Sequence, residues 1–175
     1  MKIVQLFLTT IIGVSMGVLI LSHVIAQEPM AIVSYPLPTV NILPDHPLYK
    51  ITVLRDKLML RLIINPVKKV EYYLILSDQG LAASIQLAEK GKAELAKQTA
   101  IRAEHYYTQL VSDYKWLVWY HRQIPEELTE NIFLAADKHQ EVLTELGFTD
   151  ALDFSRRNEQ TLREFIADEA KKRIE

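Results

Sequence analysis

Five histidines are the first place to look for chemistry: His23, His46, His105, His121 and His139. A di-iron or di-manganese bundle takes a Glu-x-x-His pair from each of two helices. Here the residues three before His105, His121 and His139 are Arg102, Val118 and Ala136, so that pattern is missing. The zinc-protease pattern His-Glu-x-x-His is missing too. His121 and His139 fall on the inward stripes of neighbouring helices and are placed to meet. Two imidazoles are short of the three or four ligands a metal takes. The expectation is two core or boundary histidines, with no metal ligands and no cofactor.

Carboxylates are plentiful, but general acid–base work needs two of them in one pocket. Glu71, Asp78 and Glu104 flank a seam between two helices, and Asp78 falls opposite Ala103, where it would be partly buried. They read as solvated flanks or as a polar group that fixes register. No serine sits in a Gly-x-Ser-x-Gly elbow, and the five glycines form no phosphate loop. No catalytic residue is therefore expected.

Aromatic residues offer the better recognition chemistry. Tyr106-Tyr107 and the block from Tyr114 to Arg122 crowd one helix. The block is too wide for a single stripe, so some rings point away from the helix partner. Burial under other helices is the default for such rings. An exposed surface of Tyr106, Trp116, Trp119, Tyr120 and Arg122 would instead have the composition of a binding hot spot. Contact with a membrane interface is the third reading.

The elements that must position these residues are helices. Residues 1–26 begin Met1-Lys2 and continue with an apolar run from Ile3 to Ala26. This reads as a signal peptide with cleavage after Ala26, or as an uncleaved anchor, since the run is long enough to span a bilayer. Either way the remainder is expected on the outer side of a bacterial cytoplasmic membrane. Residues 27–47 hold five of the seven prolines and read as an extended linker. Residues 48–175 show helical periodicity throughout. The fold class is thus all-α: an antiparallel hairpin or bundle of about five helices behind an N-terminal signal or anchor helix and a proline-rich tether.

Within that domain the starts and stops are marked. Leu48, Ile51, Leu54 or Arg55, Leu58 and Leu62 form one stripe of a first helix over 48–64. Asn65-Pro66 restarts the chain with a cap and a first-turn proline. Gly91 ends the second helix and makes a hairpin with a third, from 92 to about 123. On that third helix Ala93, Ala96, Ala100, Ala103, Tyr107, Leu110, Tyr114, Leu117 and His121 hold a seven-residue repeat. The facing stripe is Ala88, Ile85, Leu81, Leu74, Val70 and Val67. Pro125-Glu126-Glu127 opens a fourth helix with Leu128, Ile132, Ala135, His139, Val142 and Leu146 inward, ended by Gly147. Thr149 or Asp150 opens a fifth, with Leu152, Leu162, Phe165 or Ile166, and Ile174 inward.

Charge and cysteine content exclude several classes. A formal net charge of −2 leaves no basic footprint for nucleic acid. With no cysteine there is no disulfide, no thiol nucleophile, no cysteine zinc site and no lipid anchor on cysteine.

Leu43-Pro44-Asp45-His46-Pro47-Leu48-Tyr49-Lys50, followed by Leu54-Arg55-Asp56-Lys57 and Asn65-Pro66-Val67-Lys68-Lys69, resembles an uncharacterised family of bacterial extracytoplasmic domains. Its members open with Pro-Asp-x-Pro-Leu-Tyr and continue into a long helical hairpin. The resemblance covers about residues 43–120. It implies a helical fold and an envelope location, and supplies no catalytic residues. Read physically, Pro44, Asp45, Pro47, Leu48 and Tyr49 start a helix and dock the tether on the bundle, with a partner-binding epitope as the alternative.

The functional expectation is an exported or membrane-anchored, non-enzymatic structural or protein-interaction module of the cell envelope. Its partners would be the membrane, through the N-terminal helix if uncleaved, and an envelope protein. A periplasmic-type helical chaperone or stress protein is the alternative, and an envelope-polymer hydrolase stands last.

Overall fold

Asn65 illustrates how local sequence sets the elements. Its side-chain oxygen accepts hydrogen bonds from the backbone N–H groups of Val67 (2.9 Å) and Lys68 (3.3 Å), while Pro66 fills the first helical turn. The computed structural model describes residues 33–172, and among them lie five helices. These are α1 (Tyr49–Leu62), α2 (Pro66–Glu89), α3 (Ala93–Trp119), α4 (Glu126–Glu145) and α5 (Thr149–Lys172). The expected signal or anchor segment and Ile174 lie outside the described residues. No helix among the described residues is long and apolar enough to cross a membrane.

Three helices end alike. Gly91 (φ 72°) and Gly147 (φ 69°) take the left-handed conformation just past α2 and α4. At the end of α3 that position belongs to His121 (φ 51°), where glycine is the cheaper residue. His121 N–H bonds the Val118 carbonyl at 3.0 Å, and Arg122 N–H reaches Leu117 at 2.9 Å. The histidine is thus spent on a helix terminus and stands exposed.

Helix α2 packs on α3 and α4, α3 packs on α5, and α5 packs on α4, which closes four helices into a bundle. The seven-residue repeat of α3 forms its seam: Ala96, Ala100, Ala103, Tyr107, Leu110, Tyr114 and Leu117 are all buried. Gly80 lets the hairpin close tightly, because a Cβ built there would stand 2.8 Å from the Ala103 Cβ. Helices α2, α4 and α5 bury most of their expected stripes too, including Leu74 and Leu81 on α2, Ile132 and Val142 on α4, and Leu162 on α5.

Two regions depart from the sequence reading. Residues 33–40 are extended, as proline dictates, whereas 41–47, expected extended too, bend and turn, with His46 N–H bonding the Leu43 carbonyl at 2.9 Å; neither part stands free of the bundle. Leu43 is buried with Ala83, Leu87 and Ala96, with Val40 packed beside it, and Leu37 packs on a separate cluster that includes Leu81, Ala100 and Leu143. Val33 N–H bonds the Glu141 carboxylate at 2.9 Å. In this strap Val33, Tyr35, Leu37, Val40, Ile42 and Leu43 are covered or partly covered, while Thr39, Asn41 and Asp45 stay exposed. The second departure is α1. Its stripe of Leu48, Ile51, Leu54, Leu58 and Leu62 faces outward, and the one buried residue of the helix is Asp56. Asp56 accepts hydrogen bonds from Tyr72 on α2 (3.0 Å) and from its neighbour Arg55. A cavity of about 60 Å³ remains between α1, the strap and the α2–α3 hairpin.

Candidate functional site

Three titratable groups meet at the centre of the bundle. His139 on α4 is wholly buried, with Nδ1 2.7 Å from Glu104 Oε1 on α3 and Nε2 3.0 Å from Asp78 Oδ1 on α2. Both neighbours are carboxylates, which accept rather than donate when ionised. An imidazolium satisfies both at once, whereas a neutral ring satisfies one. Burial works against that charge, but Glu104 and Asp78 override it and raise the His139 pKa to about 9.

Donors from two further elements complete the cluster. Tyr35 on the strap donates to Asp78 Oδ2 at 2.7 Å. Burial first, and then Asp78, push its phenol well above the usual range, so it stays a donor. Asn158 on α5 donates to the Glu104 carbonyl (3.2 Å) and to Glu104 Oε2 (3.4 Å), and its own amide oxygen accepts from Thr108 (2.9 Å). Tyr107 lays its ring 5.8 Å from the His139 ring and donates to the Ile132 carbonyl at 2.7 Å. Every bundle helix and the strap therefore send a polar group to one point. Among the described residues no buried side-chain nitrogen or oxygen lacks a partner.

The cluster is closed to substrate. Glu104 and His139 are fully buried, and Asp78 is 6 % exposed. Neighbouring hydroxyls are spent on backbone: Ser77 on the Leu74 carbonyl, Ser84 on that of Leu81. No group of His, Asp and Glu among the described residues is arranged to hold a metal ion. What this arrangement does is fix register. A slip of any one helix would leave a carboxylate or imidazolium dry and unpaired.

Sequence reasoning reached part of this. His139 was expected inward and is. His121, on the neighbouring inward stripe and within reach by sequence, does not meet it, because His121 turns out at the end of α3. Asp78 was placed as a register-fixing or flanking group, and it lies deeper than a flank. Glu104, read in the same way as a solvated flank or a register-fixing group, is no flank: it is wholly buried. Tyr35 and Asn158 were not singled out, and no local pattern marks them.

The aromatic end of α3 is the second candidate. Trp116 is 42 % exposed and Trp119 and Tyr120 are each 62 % exposed, with Arg122 exposed beside them. The Trp116 and Tyr120 rings stack with centroids 4.4 Å apart. Trp119 sets its edge against Phe165 of α5 at 6.3 Å, and Lys115 sits 5.2 Å over that same ring. Tyr106 does not join this surface. It is half-buried lower on α3, 6.4 Å from the Tyr73 ring.

The 44–49 segment lies between strap and bundle. Asp45 pairs with Lys92 at the start of α3 at 2.7 Å, and this pairing holds its carboxyl below the usual range. The Tyr49 hydroxyl accepts from Arg102 on α3 at 3.1 Å. Leu48 is half-exposed, Pro47 is exposed and Pro44 is partly covered. The apolar anchor of the segment is Leu43 rather than Leu48.

A family described as a domain of unknown function, DUF5667, matches residues 41–149. The chain belongs to this family. The DUF5667 span carries α1 to α4 and with them Asp78, Glu104 and His139. Tyr35, on the strap, and Asn158, on α5, lie outside it, so the central cluster of this chain draws two of its donors from beyond the DUF5667 span. No curated protein and no solved structure matches the chain.

Proposed function

We propose that this DUF5667 chain is an exported or membrane-anchored, non-enzymatic protein-interaction module of the cell envelope, and that it recognises a protein partner through the aromatic end of α3. The single observation that carries the reading is the exposure of Trp116, Trp119 and Tyr120 next to Arg122 on a rigid helix terminus. Exposed Trp, Tyr and Arg in one patch is the composition that dominates interface energies. The sealed Asp78–His139–Glu104 cluster supports the same reading, since the strongest titratable groups are consumed by the fold. The apolar run from Ile3 to Ala26 supports the location.

The test has two parts. An alkaline phosphatase fused after Glu175 reports on the location, since that enzyme needs an oxidising compartment, and activity is expected. A photo-crosslinking residue in place of Arg122 is expected to trap one discrete envelope protein. The triple variant Trp116→Ala, Trp119→Ala, Tyr120→Ala is expected to abolish the adduct while the melting curve stays put. An inactive fusion removes the location. A triple variant that unfolds the bundle makes the rings core residues and removes the recognition surface.

A further inference from the structure

Helix α1 is amphipathic in three sectors. Thr52, Val53, Asp56 and Leu60 face the hairpin and are buried or half-buried. Leu54, Leu58, Ile51 and Leu62 fall in an arc on the opposite side, with exposures between 54 % and 68 %, and Arg55, itself exposed, separates them from Leu48 and Met59. Lys50, Lys57 and Arg61 occupy the narrow sector between those two, all exposed. No described residue forms an ion pair with any of these three cations. The only acid of the helix, Asp56, is buried and held by Arg55 and Tyr72. Among the described residues nothing covers this apolar face, and cations line it on both sides, Lys50, Lys57 and Arg61 on one flank and the Asp56-paired Arg55 on the other.

We propose that α1 lies in the surface of an anionic lipid bilayer. Leu54, Leu58 and Leu62 sink to the boundary of headgroups and acyl chains, and Lys50, Lys57 and Arg61 sit among the lipid phosphates. A helix with a leucine face and a Lys/Arg flank matches that boundary in both of its chemistries. Its 14 residues are too few to cross the membrane, so the helix lies along it. The same charges argue against a second copy of this chain as the occupant. A two-fold contact of α1 on α1 would set Lys50, Lys57 and Arg61 beside their own duplicates with no free acid on either helix. The inference stands whether or not the aromatic end of α3 binds a protein.

The chain has no cysteine, so one introduced cysteine carries a unique label. Full-length protein with Leu58→Cys, labelled with bimane, is reconstituted into vesicles of phosphatidylcholine alone or mixed with phosphatidylglycerol. In the mixed vesicles the emission is expected to shift to the blue and to be quenched by nitroxide lipids. Leu54→Cys should repeat the result. A label at Asp153→Cys, exposed on α5, should keep aqueous emission in the same vesicles. Reversing Lys50, Lys57 and Arg61 to Glu in the Leu58→Cys chain should return the emission to its aqueous value at unchanged helicity. Because the readout is local to α1, binding through the apolar run at 3–26 does not imitate it. Aqueous emission at both leucine positions in mixed vesicles overturns the proposal. So does an equal shift in phosphatidylcholine alone. A shift that appears without vesicles and grows with protein concentration assigns the face to a second copy instead.

Discussion

Helix α4 carries a histidine to the driest point of the bundle, while α1 leaves Leu54, Leu58 and Leu62 outside. The two regions invert the usual placement of side chains in opposite directions, and the reasons differ. At the centre, three ionisable groups and two neutral donors satisfy one another, so burial leaves no orphan. A cluster of this kind adds little net stability compared with well-packed leucines, but it makes any other register costly. In α1 the hairpin offers no apolar surface to cover the leucine stripe. The helix is held by Leu60, which packs on the core, and by polar links, Asp56 to Tyr72 and Tyr49 to Arg102. Burying a leucine of that stripe is worth about 1.5–3 kcal/mol, a gain that α1 forgoes and α2 to α5 collect. Stability therefore resides in the four-helix bundle, and α1 belongs to the low end of the local stability scale.

The contrast breaks most visibly at His139. Replacing it with Ala leaves Asp78 and Glu104 buried without their shared cation, and a loss of about 3–5 kcal/mol is expected in urea unfolding at neutral pH. A loss under ~1 kcal/mol would mean that the cluster is hydrated and the comparison is unsound. The pH dependence sharpens the same point. His139 has a folded pKa of about 9, raised above the ~6.5 of an unfolded histidine. Its contribution is fully present below ~6.5 and is lost as pH rises through 9. Roughly 3 kcal/mol of stability should disappear across that window, seen as a falling melting temperature that the His139→Ala chain does not share. A melting temperature that rises over the window would reverse the assignment of charge.

Smaller effects probe the seam and the outer helix. Gly80→Ala pushes a methyl group against Ala103, and about 1–3 kcal/mol of destabilisation is expected in thermal melts. If that variant is as stable as the parent, the hairpin is looser than its alanines indicate. At the far end of the scale, Leu54→Ser with Leu58→Ser should change solution stability by no more than ~0.5 kcal/mol, because both side chains already face solvent. A larger loss would place α1 in the core and erase the difference between the two regions.

Much of the fold was legible because it is written in local residues. Asn65-Pro66, Gly91 and Gly147 mark helix boundaries by cap geometry and backbone freedom, and the structure ends and starts its helices there. The repeat from Ala96 to Leu117 names a seam by spacing alone. His121 misled because it continues that repeat by one more step. Only its φ of 51° shows that the helix has already ended. The α1 stripe misled for another reason: periodicity gives the direction in which apolar residues point and says nothing of whether another element lies there. Residues 33–40 were legible as extended chain, but neither the turns at 41–47 nor the docking of the whole strap was, since proline sets the backbone locally and leaves the docking partner open.

By itself the sequence determined that this chain is helical, where most of its helices start and stop, which face of α2 to α5 is apolar, and that no cysteine chemistry is available. Those properties depend on residues within a few positions of one another. Only the tertiary structure decided that Glu104 rather than His121 meets His139, that Tyr35 caps Asp78 from 43 residues away, and that α1 turns Leu54, Leu58 and Leu62 outward. Each of those depends on what stands opposite a side chain in space. That is set by how five elements share one limited apolar core, and no short stretch of sequence records it.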